Sequence, residues 1–185
     1  MPPLASIDIG SNTLRLLVGM IEGQKIVRMR CGMVITRLAA GIGETGLLNP
    51  DNMEKSVSVL KVFSDIISAY CISHIRAVGT SALREAGNSE EFMRRVLSET
   101  GINIEVISGE EEAELTARGV MFDLPETDSS FIIDIGGGSA EWIFCRNSYP
   151  AELGTIPTGV VKLFDKHIKS DPPSKSDIKK KKKEL

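Results

Sequence analysis

The feature that most constrains this chain is a short motif that occurs twice. Ser6-Ile7-Asp8-Ile9-Gly10-Ser11-Asn12-Thr13 and Ile132-Ile133-Asp134-Ile135-Gly136-Gly137-Gly138-Ser139 each run from an apolar, strand-like stretch through an aspartate into a turn of glycine and small polar residues. Such a turn presents successive backbone N–H groups toward one concavity, and concavities of that kind bind phosphate oxygens. One Asp-Gly turn is ordinary in a hairpin, but two at equivalent points of two strand-turn-strand openings indicate an internal repeat.

The pattern around the two motifs bears this out. The first strand is expected over 4–9, the second over 14–21 and the third over 25–35, with Gly32 as a bulge and a glycine-rich loop over 37–48. Asn49 followed by Pro50 predicts a helix start, and Val59, Phe63, Ile66 and Tyr70, widened by Leu60 and Ile67, continue it as an amphipathic stripe. A strand over 75–78, a helix over 88–99 capped by Asn88, a strand over 104–107 and a helix from Ser108 complete one α/β unit. After the polar break at 124–128 the order restarts with strands over 131–135, 141–145 and 151–156 and a helix over 160–167. The expected division is therefore a first lobe over 1–124, the opening half of a second over 125–169, and a lysine-rich flexible tail over 170–185.

Length and charge narrow the functional classes. The 185 residues are 42% hydrophobic, enough to bury a core, and the net charge of −3 supplies no bulk field for nucleic acid or membrane. Neither partner is expected, so an anionic ligand must be gripped locally. Cys31, Cys71 and Cys145 share no metal or disulfide spacing and read as buried reduced thiols. With no basic-then-apolar leader and no long apolar run, the expected location is cytoplasmic.

Several residues can carry phosphate chemistry. The hydroxyls of Ser11, Thr13 and Ser139 and the amide of Asn12 add donors to the turns formed with Gly10, Gly136, Gly137 and Gly138. Asp8 and Asp134, at the ends of the preceding strands, are placed to hold Mg2+ or another hard divalent cation, directly or through water. In Ser108-Gly109-Glu110-Glu111-Glu112, helix capping by Ser108 and Glu111 accounts for Glu111, whereas Glu112 falls one residue further on, beyond a strand's carboxyl end where α/β ligand sites lie. Arg84 follows another strand end and offers a guanidinium suited to phosphate. Two apparent nucleotide motifs fail. Gly41-Ile42-Gly43-Glu44-Thr45-Gly46 does not open a helix at its third glycine, and the Walker-like spacing from Gly154 to Gly159 lacks the following Lys-Ser/Thr.

These segments together resemble the exopolyphosphatase/guanosine pentaphosphate phosphatase (Ppx/GppA) family. The matching stretches are Ile7 to Thr13, Gly79-Thr80-Ser81-Ala82-Leu83-Arg84, Ile107 to Ala113 and Ile133 to Glu141, in the right order along nearly the whole chain. The resemblance implies an α/β, actin-like (ribonuclease H-like) lobe with a mixed five-stranded sheet and flanking helices, followed by the first half of a similar lobe, with the active site in the cleft between lobes. It also implies roles: Glu112 as catalytic base, Arg84 as phosphate-positioning residue, Asp134 and Glu141 as acids near metal and water, and Gly136 to Ser139 as a second phosphate loop. The segment from Thr155 to Leu163 matches the family only loosely.

The implied reaction is hydrolysis of a terminal phosphoanhydride on polyphosphate or guanosine pentaphosphate, with water activated by Glu112 and charge neutralised by Mg2+. Family members complete the second lobe, so weak or no turnover is expected of these 185 residues unless association into a homodimer assembles a full cleft. The competing expectations are an actin-like small-molecule kinase and a phosphate- or nucleotide-binding fragment without turnover.

Overall fold

The computed structural model describes residues 2–23, 25–122, 124–125, 127–170 and 172–175. The expected tail over 170–185 therefore lies mostly outside the described residues. The chain divides into two compact units, Met1–Ile107 and Ser108–Leu185.

The first unit is a five-stranded mixed sheet in the order β3-β2-β1-β4-β5. Strands β1 (Leu4–Ile9), β2 (Thr13–Glu22) and β3 (Lys25–Ile35) form an antiparallel meander, while β4 (His74–Gly79) and β5 (Ile104–Val106) add in parallel beside β1. Alternation sets the faces. Ala5, Ile7 and Ile9 of β1 and Leu14, Leu16 and Val18 of β2 point into the core, where Val57, Leu60 and Phe63 of helix α2 (Pro50–Ala69) meet them after a short helix α1 (Ile42–Thr45). Each fully buried Val, Leu, Ile or Phe side chain among them contributes about 1.5–3 kcal/mol.

Local chemistry explains the element ends. The Asn49 side chain accepts from the backbone N–H groups of Asp51 at 2.9 Å and Asn52 at 3.4 Å, and Pro50 occupies the first turn, as expected. Helix α3 (Ser81–Glu85), too short to show a period, follows β4, and helix α4 (Ser89–Thr100) comes next. The expected cap by Asn88 is not made. Its amide instead accepts from the Leu48 N–H at 2.8 Å and donates to the Leu48 carbonyl at 3.1 Å, because a tertiary backbone partner outcompetes the helix end.

The bulge expected at Gly32 lies elsewhere. Val18 pairs with Arg30 and Gly19 with Arg28, so Met29 is the extra residue, opposite a glycine whose Cβ would come 2.9 Å from the Val27 carbonyl oxygen. Gly32 instead makes room for Phe63, whose ring edge would be 3.3 Å from a Cβ there. The expectation of buried thiols holds for Cys145 alone; Cys31 and Cys71 are exposed.

The second unit is a three-stranded antiparallel sheet, β6 (Ser129–Ile135), β7 (Ala140–Arg146) and β8 (Tyr149–Ile156), with helices α5 (Gly109–Phe122) and α6 (Val160–His167). Helix α5 was expected to close the first lobe at residue 124, but it packs on the second sheet, which moves the division to Ile107 and Ser108. The reason is a stripe of small residues at four-residue spacing. Ala113 and Ala117 are buried against Ile143 and Cys145, and Gly109 lies so close to β8 that a Cβ there would come 2.6 Å from Thr155 Oγ1. Small side chains let the helix approach the sheet. On the opposite face, Gly154 makes room for the Trp142 indole, which stacks on Phe131 with ring centroids 6.4 Å apart.

Candidate active site

The two glycine turns share their scaffolding. Gly10 N–H donates to the Thr13 carbonyl at 3.0 Å, and Gly136 N–H donates to the Ser139 carbonyl at 2.9 Å, closing the same four-residue loop twice. A Cβ on either glycine would stand close to the accepting oxygen, at 3.1 Å and 3.0 Å respectively, so only glycine fits comfortably. In each unit the chain leaving the third strand returns to the loop. Ala39 N–H donates to the Ser11 carbonyl at 2.9 Å, and Thr36 and Arg37 both donate to the Asn12 carbonyl at 3.0 Å. Correspondingly, Val160 donates to the Gly136 carbonyl at 3.0 Å and Val161 to the Gly137 carbonyl at 2.9 Å. The loop carbonyls are thus engaged by their own chain, which suits the loops to anions rather than cations.

In the first unit, Ser11 is 3% exposed, and its Oγ, like Oγ1 of buried Thr36, has no partner among the described residues. Asn12 and Thr13 are half-buried beside it. Asp8 ends β1 opposite Arg15 in register, with the carboxylate 4.0 Å from the guanidinium and both groups largely solvated, an ion pair of little energetic weight. The carboxyl ends of the parallel strands are stitched in sequence. Thr80 N–H reaches the Ile9 carbonyl at 3.3 Å, and Ile107 N–H reaches the Gly79 carbonyl at 3.1 Å. Arg84, half-buried on α3, donates from Nη1 to the Ile107 carbonyl at 2.9 Å. Loops gathered at such strand ends are where α/β ligand sites lie.

In the second unit, Asp134 and Glu141 face each other across β6 and β7 in direct register, and Glu141 is paired in turn with Thr155. Asp134 is exposed, while Glu141 is buried at 2% exposure. Gly138 and Ser139 are buried, and Gly136 and Gly137 half-buried, under the start of α6. Glu112 sits half-buried in the first turn of α5, whose N-terminus is capped by Ser108 Oγ accepting from the Glu111 N–H at 3.1 Å. One turn further along, Thr116 Oγ1 donates to Asp134 Oδ2 at 3.3 Å. Glu112, Asp134, Glu141 and the Gly136 to Ser139 loop therefore belong to one unit, whereas Asp8, the Gly10 to Thr13 loop and Arg84 belong to the other.

Sequence reasoning missed three contributors. Thr116 sits mid-helix with no motif around it, Thr36 follows a strand with no glycine to mark it, and Gly159 reads only as part of a failed Walker spacing. The failed dinucleotide match also has a structural use: Gly41 and Gly46 take left-handed conformations, φ +82° and +70°, that bracket α1. Among the described residues no helix is long and apolar enough to cross a membrane.

Two sheets, each opening on the same glycine turn, define an actin-like fold. Residues 18–185 match the Ppx/GppA phosphatase family, and the chain belongs to it. A solved family member from Aquifex aeolicus is 36% identical, with the match covering 96% of this chain and 58% of that one, at a TM-score of 0.76. An exopolyphosphatase from Cytophaga hutchinsonii is 32% identical over 95% of this chain and 56% of its own, at a TM-score of 0.87. The chain thus spans less than two thirds of the length of these relatives.

Proposed function

We propose that the protein is a phosphohydrolase that releases terminal phosphate from a phosphoanhydride chain, inorganic polyphosphate or guanosine pentaphosphate. The observation that carries this reading is the seating of α5. It brings Glu112 onto the same unit as Asp134, Glu141 and the Gly136 to Ser139 loop. In this reading the loop N–H groups and Ser139 hold phosphate oxygens, and Glu112 takes the proton of the attacking water. The first unit carries donors of the same kind in Arg84 and the Gly10 to Thr13 loop. Such catalysis is mostly positioning and charge neutralisation, because the transferred phosphoryl group needs little covalent help.

A hard divalent cation of the Mg2+ kind fits the donor set. In the second unit Asp134 offers an exposed carboxylate that accepts from Thr116, and Glu141 is its cross-strand neighbour. Among the described residues no three His, Cys, Asp or Glu converge, so this unit would offer such an ion two carboxylates at most. Bound there, the ion would neutralise charge on the phosphates.

The test is phosphate release from polyphosphate and from guanosine pentaphosphate by the chain and by Glu112→Ala. Loss of a general base lowers turnover by about 10²- to 10⁴-fold. Where phosphate release is measurable, a rate unchanged by Glu112→Ala would overturn the assignment.

A further inference from the structure

We propose that Thr116 is a positioning residue for Asp134, and through it the helix that carries Glu112 sets the geometry of the acid beside the second loop. The proposal deepens the reading above and rests on its assignment of Asp134 to the cation.

Helix α5 crosses the second sheet from β8 to β6. It begins with Gly109 against Thr155, passes over Ile143 and Cys145 with Ala113 and Ala117, and reaches Asp134 with Thr116. Residues four apart share a helix face, so Glu112 and Thr116 lie one above the other. A β-branched threonine is a weak helix former, and in mid-helix its hydroxyl commonly turns back to the carbonyl one turn earlier. Here the hydroxyl instead reaches across to the sheet, 3.3 Å from Asp134 Oδ2.

Asp134 is exposed at the next-to-last position of β6, so little packing holds its rotamer. A carboxylate has about four lone-pair positions, and one donor on Oδ2 biases the orientation of the group while leaving the remaining positions for a cation. The bond is longer than the typical hydroxyl-to-carboxylate distance of about 2.7 Å, so its effect is orientation rather than stability. Partners of this kind, one step removed from a ligating group, alter metal affinity by about 10- to 100-fold when removed.

The experiment titrates Mn2+ into the chain and follows the fluorescence of Trp142, the only tryptophan and the neighbour of Glu141. Thr116→Val, which keeps the shape and removes the hydroxyl, is expected to weaken Mn2+ binding about tenfold with an unchanged melting temperature. Thr116→Ser is expected to restore binding. In an Asp134→Asn background, Thr116→Val is expected to change nothing further, as for two residues acting through one contact. Mn2+ binding by Thr116→Val equal to that of the unsubstituted chain overturns the proposal, as does an undiminished effect in the Asp134→Asn background. Absence of Mn2+ binding by the unsubstituted chain overturns the cation assignment and this role with it. Thr116-dependent Mn2+ binding in a chain whose measurable phosphate release is unchanged by Glu112→Ala supports the positioning role while sinking the hydrolytic reading.

Discussion

A Cβ placed on Gly159 would stand 2.4 Å from both the carbonyl carbon and the oxygen of Gly137. The backbone of Gly159 is extended, so its glycine is required by contact and not by conformation. Val160 and Val161 then fasten the loop through the Gly136 and Gly137 carbonyls, and the turn is held from behind by the start of α6.

Gly159→Ala must therefore push the loop backbone away. Overpacking of this kind costs about 1–3 kcal/mol, and here the obstacle is rigid backbone, which places the expected loss at the upper end. For a chain of this size about 3 kcal/mol corresponds to a fall of about 6–12 °C in melting temperature. Melting scans check the stability, and phosphate release checks that the loop has moved; an unchanged melting temperature would show that α6 shifts freely.

Ser11→Ala is expected to separate stability from function. The buried Oγ has no partner among the described residues, and an unsatisfied buried hydroxyl is a burden on the fold. The substitution should leave urea stability unchanged or raise it by up to about 1 kcal/mol while weakening tripolyphosphate binding. A loss of stability with binding intact would show that the hydroxyl serves the fold.

Asn88→Ala removes both bonds to the Leu48 backbone and should cost about 1–3 kcal/mol in urea unfolding, since a buried N–H and carbonyl lose their partner together. Asn88→Ser and Asn88→Asp, both good helix caps, should not restore full stability. Full rescue by either would mean that the residue acts as a cap after all.

Acid should loosen the packing of α2 against α4. Glu99 of α4 accepts from Lys61 of α2 at 2.6 Å and from Arg95 at 2.5 Å, while Arg95 also pairs with Glu54 of α2. The Lys61 bond first, and the Arg95 bond second, hold the Glu99 carboxyl below the usual glutamate range. A carboxyl held low in the folded state lends stability that is complete above its unfolded pKa and is lost as pH falls through the folded value. The contribution should therefore fade below about pH 4.5. Urea midpoints measured between neutral pH and pH 3 should fall less steeply in Glu99→Gln than in the unsubstituted chain; identical slopes would remove Glu99 from the acid response.

The strand meanders, the Asn49-Pro50 helix start and both glycine turns are legible in the sequence because each depends on neighbours along the chain: alternation, a cap, a turn glycine. Features set by distant partners are not. The Gly109, Ala113 and Ala117 stripe announces that α5 packs closely on something, but small residues carry no address, and the second sheet is identified only in three dimensions. Asn88 carries the signature of a cap and finds a better partner in Leu48. Gly32 and Gly19 are both plausible bulge glycines, and the choice is made by Phe63, which claims the space over Gly32. For the site, the acids and the loops are readable as chemistry, but Thr116 becomes visible only once α5 lies across β6.

The repeated turn bond, Gly10 to Thr13 and Gly136 to Ser139, gives the molecule an internal reference. An alanine at Gly10 and one at Gly136 meet nearly the same obstacle at nearly the same distance, so the steric insult is matched while the surroundings differ. Any difference between the two variants in turnover or ligand affinity then measures how unequally the two halves share the work, a comparison that proteins with a single such loop do not permit.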